Sequence, residues 1–382
     1  MVELEPKPIE RLEQSVCGRL VSHLVLDDSK VFVVGGAVRD VLLGGEPREI
    51  DLLTTISAID VANEIADELL EEHERFGTAR AAIAGCVFDV AQTRTESYAA
   101  PGALPTVQLG ASVEEDLARR DFTINAIALT LQGDLIEHPG AQRDLAAGIV
   151  RVLHEDSFVD DPTRLWRLVR YAIRLGFKID PHTAELAAGA VAGGALETVS
   201  GDRIGAELRL ALTEPDPLAT LHAAHNLGLT PELNLDPAVI GTALEILPAQ
   251  GRADLLILGA ALRDDEWVTG LGFTAGELAT LRKCIDAAPA ADDPPSAVAA
   301  ALRELPDEAV AIAGARGDRR AAERWLLELR DIKLEIDGDD LIAAGLEPGP
   351  ALGERLRNTL DAKLDGKVSG REAELAEALR SR

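Results

Sequence analysis

The chain has 382 residues, is 47% hydrophobic and carries a formal net charge of −28 at pH 7. That length allows about two to four domains and a sizeable core. The acidic balance argues against indiscriminate nucleic-acid binding, and an aromatic content of 3% argues against a broad base-stacking platform.

Apolar runs fall far short of the ~18 residues of a membrane span. The opening MVELEPKPIERLEQ is acidic and lacks an apolar core, so no secretory signal is expected. Cys17, Cys86 and Cys284 are isolated and odd in number. They read as reduced, buried cysteines of a cytoplasmic protein, without metal spacing or a disulfide pattern.

In chain order, apolar residues at helical spacing predict a first helix over residues 8–28. Val31 to Val34 then read as a buried strand, followed at once by Gly35 and Gly36 and an amphipathic turn carrying Arg39. A glycine pair between a strand and a helix lets backbone N–H groups approach a phosphate, and Arg39 lies within reach of the same anion. A second strand over 49–54 carries Glu49 and Asp51, two residues apart and so on one face. Two carboxylates beside a phosphate-binding turn suit a divalent metal with a nucleoside triphosphate. Taken singly, the plainer readings are a tight turn and a solvated face.

Ser57 is a candidate N-cap for a helix over 58–74. Residues 79–92 read as a strand pair turning near Gly85. On its second strand Asp89 sits between Val87 and Ala91 at period-two positions. It reads as an edge charge or as a third carboxylate of the site, ligand or general base. Residues 95–112 read as a long loop of the functional kind. In RRDFTINA (119–126), Arg120 is placed on a phosphate, with Asp121 and Asn125 fixing the backbone.

DDPTRLWRLVRYAIRLGF (160–177) predicts a helix opened by Asp161 and Pro162. Arg164, Arg167, Arg170 and Arg174 occupy one stripe about 120° wide. Such a row faces an anion, solvent or intramolecular carboxylates. Asp161 and Arg164 offer an acceptor and donors suited to the Watson–Crick edge of a base. From residue 181 the chain reads as helix after helix, with a Pro-rich break over 288–296 and a Gly-Pro turn in GLEPGPALGE.

Together GGAVRD (35–40), EID (49–51), RRDFTINA (119–126), the DDPTR run with its arginines (160–170) and GDDLIAAGLEPGPALGE (338–354) resemble the class II tRNA nucleotidyltransferases, the CCA-adding enzymes and bacterial poly(A) polymerases. The resemblance implies an α+β protein. Its head (1–150) would be a mixed five-stranded sheet with helices, followed by a helical neck (151–230), body (231–290) and tail (291–382). It implies addition of C, C and A to tRNA 3′ ends from CTP and ATP, using Mg²⁺ and no nucleic-acid template. Gly35, Gly36, Arg39 and Arg120 would hold the nucleotide phosphates, and Glu49 and Asp51 the metal, with Asp89 as a further catalytic carboxylate. Asp161 and Arg164 would select the base, with Arg167 and Arg170 beside them. An acidic chain would then meet tRNA along a basic strip on the Arg164–Arg174 helix. No membrane partner is expected, and the oligomeric state is open.

Two positions depart from the family pattern. Glu49 stands where aspartate is usual, one methylene longer against a Mg²⁺ ion that demands near-octahedral geometry. Asp160 replaces a glutamate at the start of the base-reading motif. No His-Asp phosphohydrolase motif is found. The alternatives are a CC-adding enzyme, a poly(A) polymerase, whose basic tail this acidic C-terminus fits poorly, and a binding protein whose chemistry is impaired by Glu49. The long loop argues against an enzyme that adds only A.

Overall fold

The computed structural model describes residues 7–23 and 29–380, with no side-chain description for residues 22 and 23. The chain divides into two compact units, residues 1–229 and 230–382.

The first unit is α+β. Two short helices, α1 (Pro8–Leu12) and α2 (Val16–His23), replace the single helix expected over 8–28. Residues 24–28 of that expectation lie outside the described residues. The break follows from Ser15, whose Oγ accepts from Gly18 N and donates to Leu12 O, closing the chain between the helices. Strand β1 (Val31–Val34) leads into α3 (Gly36–Leu42). Strand β2 (Ile50–Thr54) is followed by α4 (Ala58–Ile65). Ser57 caps α4 as predicted, accepting from Asp60 N at 3.2 Å.

That helix stops at residue 65, and residues 68–73, expected to continue it, form strand β3 (Glu68–His73). Ala66 turns extended, and Asp67 N donates to Ala82 O. The segment Glu-Leu-Leu-Glu-Glu-His then forms a largely exposed, charged edge, the composition that blocks edge-to-edge pairing. The predicted hairpin is present as β4 (Thr78–Ile83) and β5 (Cys86–Gln92). Residues 94–109 are more ordered than a plain loop: β6 (Arg94–Ser97) pairs antiparallel with β7 (Thr106–Leu109). Next come α5 (Val113–Ala118), β8 (Ile127–Thr130), β9 (Leu135–Glu137), α6 (Ala141–Ala147) and β10 (Ile149–Val150).

The sheet has seven strands in the order β3-β4-β5-β2-β1-β8-β9, two more than the five expected. The extra pairing comes from β3 and from β9 at its two edges. Within this sheet, among the described residues, only β2 and β5 pair in parallel, and their register places Asp51 opposite Asp89. Phe32, Val34, Leu53, Leu117 and Ala128 form a buried cluster on one face. Helices complete the unit: α7 (Ser157–Asp160), α8 (Arg164–Leu175), a short strand β11 (Lys178–Ile179), α9 (Pro181–Ala192), α10 (Gly201–Leu212) and α11 (Pro217–Leu227). Asp161 lies between α7 and α8 with extended backbone rather than inside one helix. The following Pro162 disfavours the helical region for Asp161 and so forces the break.

A disulfide joins Cys17 on α2 to Cys86 at the start of β5, with Cα atoms 5.7 Å apart. This overturns the expectation of three reduced cysteines. The partners are 69 residues apart, and only the docking of α2 brings them together. Cys284 is free and buried.

The second unit is helical, from α12 (Pro237–Ile246) through α13 (Ala253–Ala261), α14 (Glu266–Thr269), α15 (Ala275–Ile285), α16 (Pro295–Leu302), α17 (Asp307–Arg316), α18 (Arg319–Leu327), α19 (Gly338–Ala343) and α20 (Pro350–Leu364) to α21 (Arg371–Arg380). Among the described residues no helix is long and apolar enough to cross a membrane.

Candidate active site

A cleft of roughly 720 Å³ opens within the first unit. Its walls carry Gly35, Gly36, Arg39, Glu49, Asp51, Arg120, Asp161, Arg164, Arg167 and Arg170, ten of the eleven residues to which the family resemblance gives a role. The eleventh, Asp89, stands outside the lining. It neighbours Asp51 in sheet register, yet it is about half exposed and held bidentately by Arg80 at 2.8 and 3.0 Å.

The glycine turn is tight and faces two guanidinium groups. Gly35 adopts φ +68°, which a side chain would strain, and a Cβ there would meet Arg120 Nη1 at 3.1 Å. A Cβ on Gly36 would meet Arg39 Nη2 at 3.5 Å. Two guanidinium groups therefore crowd the space over bare backbone. The amide of Gly35 is already used, donating to Ile127 O at 3.1 Å. The positive character of this turn therefore comes more from arginine than from backbone.

Each of these arginines is held by a buried network. Arg39 Nη1 donates to Asn125 Oδ1 at 2.7 Å, and its Nε and Nη2 pair with Asp40. Asp121 Oδ1 accepts from Phe122 N and Asn125 Nδ2, and its Oδ2 from Arg167. Burial opposes ionisation of Asp121, but Arg167, Asn125 and Arg164 outweigh it and pull its pKa below the usual value. Arg120 leans on the fully buried Asp116, which also binds Arg119.

Asp51 behaves differently. Its pKa is raised to about 6, first by burial and then by Asp89, with Glu49 adding to the effect against Arg120 and Arg167. Carboxylates crowded this way favour a proton or a cation. Glu49 itself precedes β2 and is exposed. The donor set is all oxygen, which suits a hard divalent cation.

At the other side of the cleft, Asp161 Oδ1 accepts from Thr163 N, Thr163 Oγ1 and Arg203 Nη2. Arg164 Nη1 donates to Ser157 Oγ at 2.8 Å, and its Nη2 to Arg119 O at 2.9 Å. Both groups are thus fixed in place before any ligand arrives. Arg170 pairs with Glu207 at 2.7 Å and Glu214 at 3.0 Å. Arg167, Arg170 and Arg174 are thus braced by carboxylates and Arg164 by a hydroxyl and a backbone carbonyl, so the row is not a freely solvated face.

Several participants escaped the sequence reading. Glu207 and Glu214 sit seven residues apart, and their match to the arginine row was the one available signal. Arg203 and Tyr171 gave none. Arg203 also donates to Gly102 O, 101 residues away at the tip between β6 and β7. Tyr98 near that tip has its pKa pushed up to about 12 by burial and by Glu96.

Comparison with known proteins matches residues 31–151 to the Poly A polymerase head domain. The chain is 36% identical over 397 aligned positions to the A-adding tRNA nucleotidyltransferase of Geobacter sulfurreducens, covering 92% of this chain and 45% of that protein. It thus spans less than half of that relative. It is 30% identical to the A-adding tRNA nucleotidyltransferase of Halalkalibacterium halodurans, covering 90% and 88% of the two chains. Among solved structures, a CCA-adding enzyme in an apo form superposes with a TM-score of 0.80 at 29% identity, covering 98% of both chains.

Proposed function

Because the chain belongs to the tRNA nucleotidyltransferase family, we propose that it transfers nucleotide monophosphates from CTP and ATP to the 3′ end of tRNA, completing a terminal CCA. One observation carries this reading. Asp51, the arginine-crowded Gly35–Gly36 turn and the pre-set pair Asp161 and Arg164 line a single cleft. Carboxylates, phosphate donors and a base-reading edge are the parts that nucleotidyl transfer requires.

Arg39 and Arg120 are assigned to the phosphates. Arg164 presents guanidinium donors to the base, and Asp161 an acceptor whose present bonds all fall on Oδ1. Arg167 and Arg170 brace that wall through Asp121, Glu207 and Glu214. Glu49 and Asp51 are assigned to Mg²⁺, which when bound supplies charge neutralisation at the triphosphate. Asp89 is assigned as the third carboxylate, acting on Asp51 through its field. The bracing networks fix these donors in advance, so little reorganisation accompanies the reaction.

A second reading, addition of A alone, is favoured by the names of the two relatives above. Terminal adenylation is common to both readings. Labelled CTP and ATP, separately and together, should be offered to tRNAs ending before C, CC and CCA. Incorporation of both nucleotides in order supports the first reading. Incorporation of ATP alone, only onto tRNA ending in CC, replaces it with the second. No incorporation from either nucleotide contradicts both.

A further inference from the structure

The bonded cysteines of the first unit sit where a short strap meets the sheet. Cys17 on α2 is joined to Cys86 on β5, 69 residues on. The strap is slight: α1 has five residues and α2 eight. Helices of that length are marginal in water and persist through docking. Ile9 and Leu12 are buried where α1 packs against α3. Ile9 rests on the turn between β8 and β9, where a Cβ on Gly133 would meet its Cγ2 at 2.9 Å. The start of α2 closes on the end of α1, because a Cβ on Gly18 would collide with Leu12 O. The strap thus touches two parts of the cleft's frame. Helix α3 carries Arg39, and β5 lies in parallel register with β2, which carries Asp51.

The bond is reachable and self-contained. Cys17 is partly exposed beside the exposed Val16, and Ala84, Gly85 and Val87 around the buried Cys86 are exposed as well. The remaining cysteine, Cys284, is buried in the second unit, so exchange is confined to this one pair. Once reduced, Cys86 is a small apolar side chain that needs no partner in its buried place. Opening the bond therefore spares the sheet and removes the covalent tie of α2 to it.

We propose that Cys17–Cys86 is a thiol–disulfide exchange site for a dithiol reductant, and that its opening frees α1 and α2 from the sheet and loosens α3, the helix of Arg39. A thiolate of the dithiol attacks Sγ of Cys17, the more exposed partner. The S–S bond breaks, and Cys86 Sγ leaves with the electron pair and takes up a proton. The second thiol of the reductant then displaces Cys17 as a thiol. Two electrons have passed to the pair, and the reductant has closed to its own disulfide. The link to α3 bears on nucleotide only through the reading of the cleft as a nucleotide site; the exchange itself stands apart from it.

The test uses the full chain, one portion equilibrated with oxidised and one with reduced dithiothreitol, beside Cys17→Ser. Thiols are counted in guanidinium, trypsin cleavage after Arg19 on α2 is timed, and ATP binding is measured with Mg²⁺. The oxidised parent should show one free thiol and the reduced parent three. Cleavage after Arg19 should run about tenfold faster in the reduced parent, and ATP should bind about threefold or more weakly. Reoxidation should restore both values, and Cys17→Ser should match the reduced parent under either treatment. Three thiols after oxidation would overturn the site, as would a single thiol that persists in the native protein under the reduced dithiol. Equal cleavage rates in the two states would overturn the release of the strap. Faster cleavage with unchanged ATP affinity would overturn its link to α3. Reduction of the parent keeps the test decisive if Cys17→Ser does not fold. A parent that binds no ATP in either state would fail the nucleotide-site reading, while the thiol count and the cleavage rate still decide this one.

Discussion

The two units treat charge in opposite ways. In the second unit many ion pairs lie at the surface: Arg319 with Glu245 and Glu323, and Arg282 with Asp265, all more than a quarter exposed. Lys363 with the buried Glu374 is an exception. In the first unit Asp116, Asp121, Arg170, Glu207 and Glu214 are all at least nine-tenths buried around the cleft. Exposed pairs contribute about 0–1 kcal/mol, whereas buried ones must offset several kcal/mol of desolvation per ion. The cleft is therefore charged at the expense of stability, as a site prepared for a charged ligand would be, while the helical unit is charged for solubility.

That contrast predicts a descending series of effects. Breaking a buried pair should hurt most. Glu214→Ala leaves Arg170 and Arg174 short of a counter-ion and should cost about 3–5 kcal/mol in denaturant unfolding of the chain. A loss under 1 kcal/mol would place this network with the surface pairs. Next, Arg164→Ala should blur the choice between CTP and ATP more than it weakens tRNA binding. Unchanged incorporation ratios would remove Arg164 from base selection. Cys284, buried and with its thiol pKa pushed up to about 12 by burial and Glu308, should resist alkylation at pH 8 in the folded protein. Rapid labelling before unfolding would contradict its packing. Smallest of all, Arg319→Ala in the second unit should change stability by about 0.5 kcal/mol or less in the same unfolding measurement.

Much of this was legible in the sequence because it is local. Val31 to Val34, the 78–92 hairpin, Ser57 as a cap and most of the later helices follow from periodicity and turn chemistry. The gathering of ten site residues into one cleft was legible through the ordered motifs. What escaped depends on tertiary contact. Glu68 to His73 have the composition of a helix end but pair with β4 at the sheet edge. Residues 94–109 lack periodicity, yet they close as two paired strands. Cys17 and Cys86 share no spacing signal. Asp89 neighbours Asp51 in register, and no spacing announced that Arg80, its partner residue on β4, would pair with its carboxylate. The arginine row was visible, whereas its braces, Glu207 on α10 and Glu214 just past that helix, lie about forty residues on.

If the cleft trades stability for charge, one variant at Asp51 shows it in two readouts. The folded pKa of Asp51, about 6, lies above its ordinary 3.8. Its contribution therefore favours the fold fully below about pH 4 and is lost as pH rises through 6. At neutral pH, without metal, that difference disfavours the native state by roughly 2–3 kcal/mol. Asp51→Asn should then melt several degrees higher than the parent at pH 7.5 in chelator, with the gap shrinking as pH falls toward 4. The same variant should lose nucleotide incorporation by about 10³-fold or more with Mg²⁺ restored. A variant that melts lower than the parent, or that still incorporates nucleotide at the parent's rate, would contradict the account.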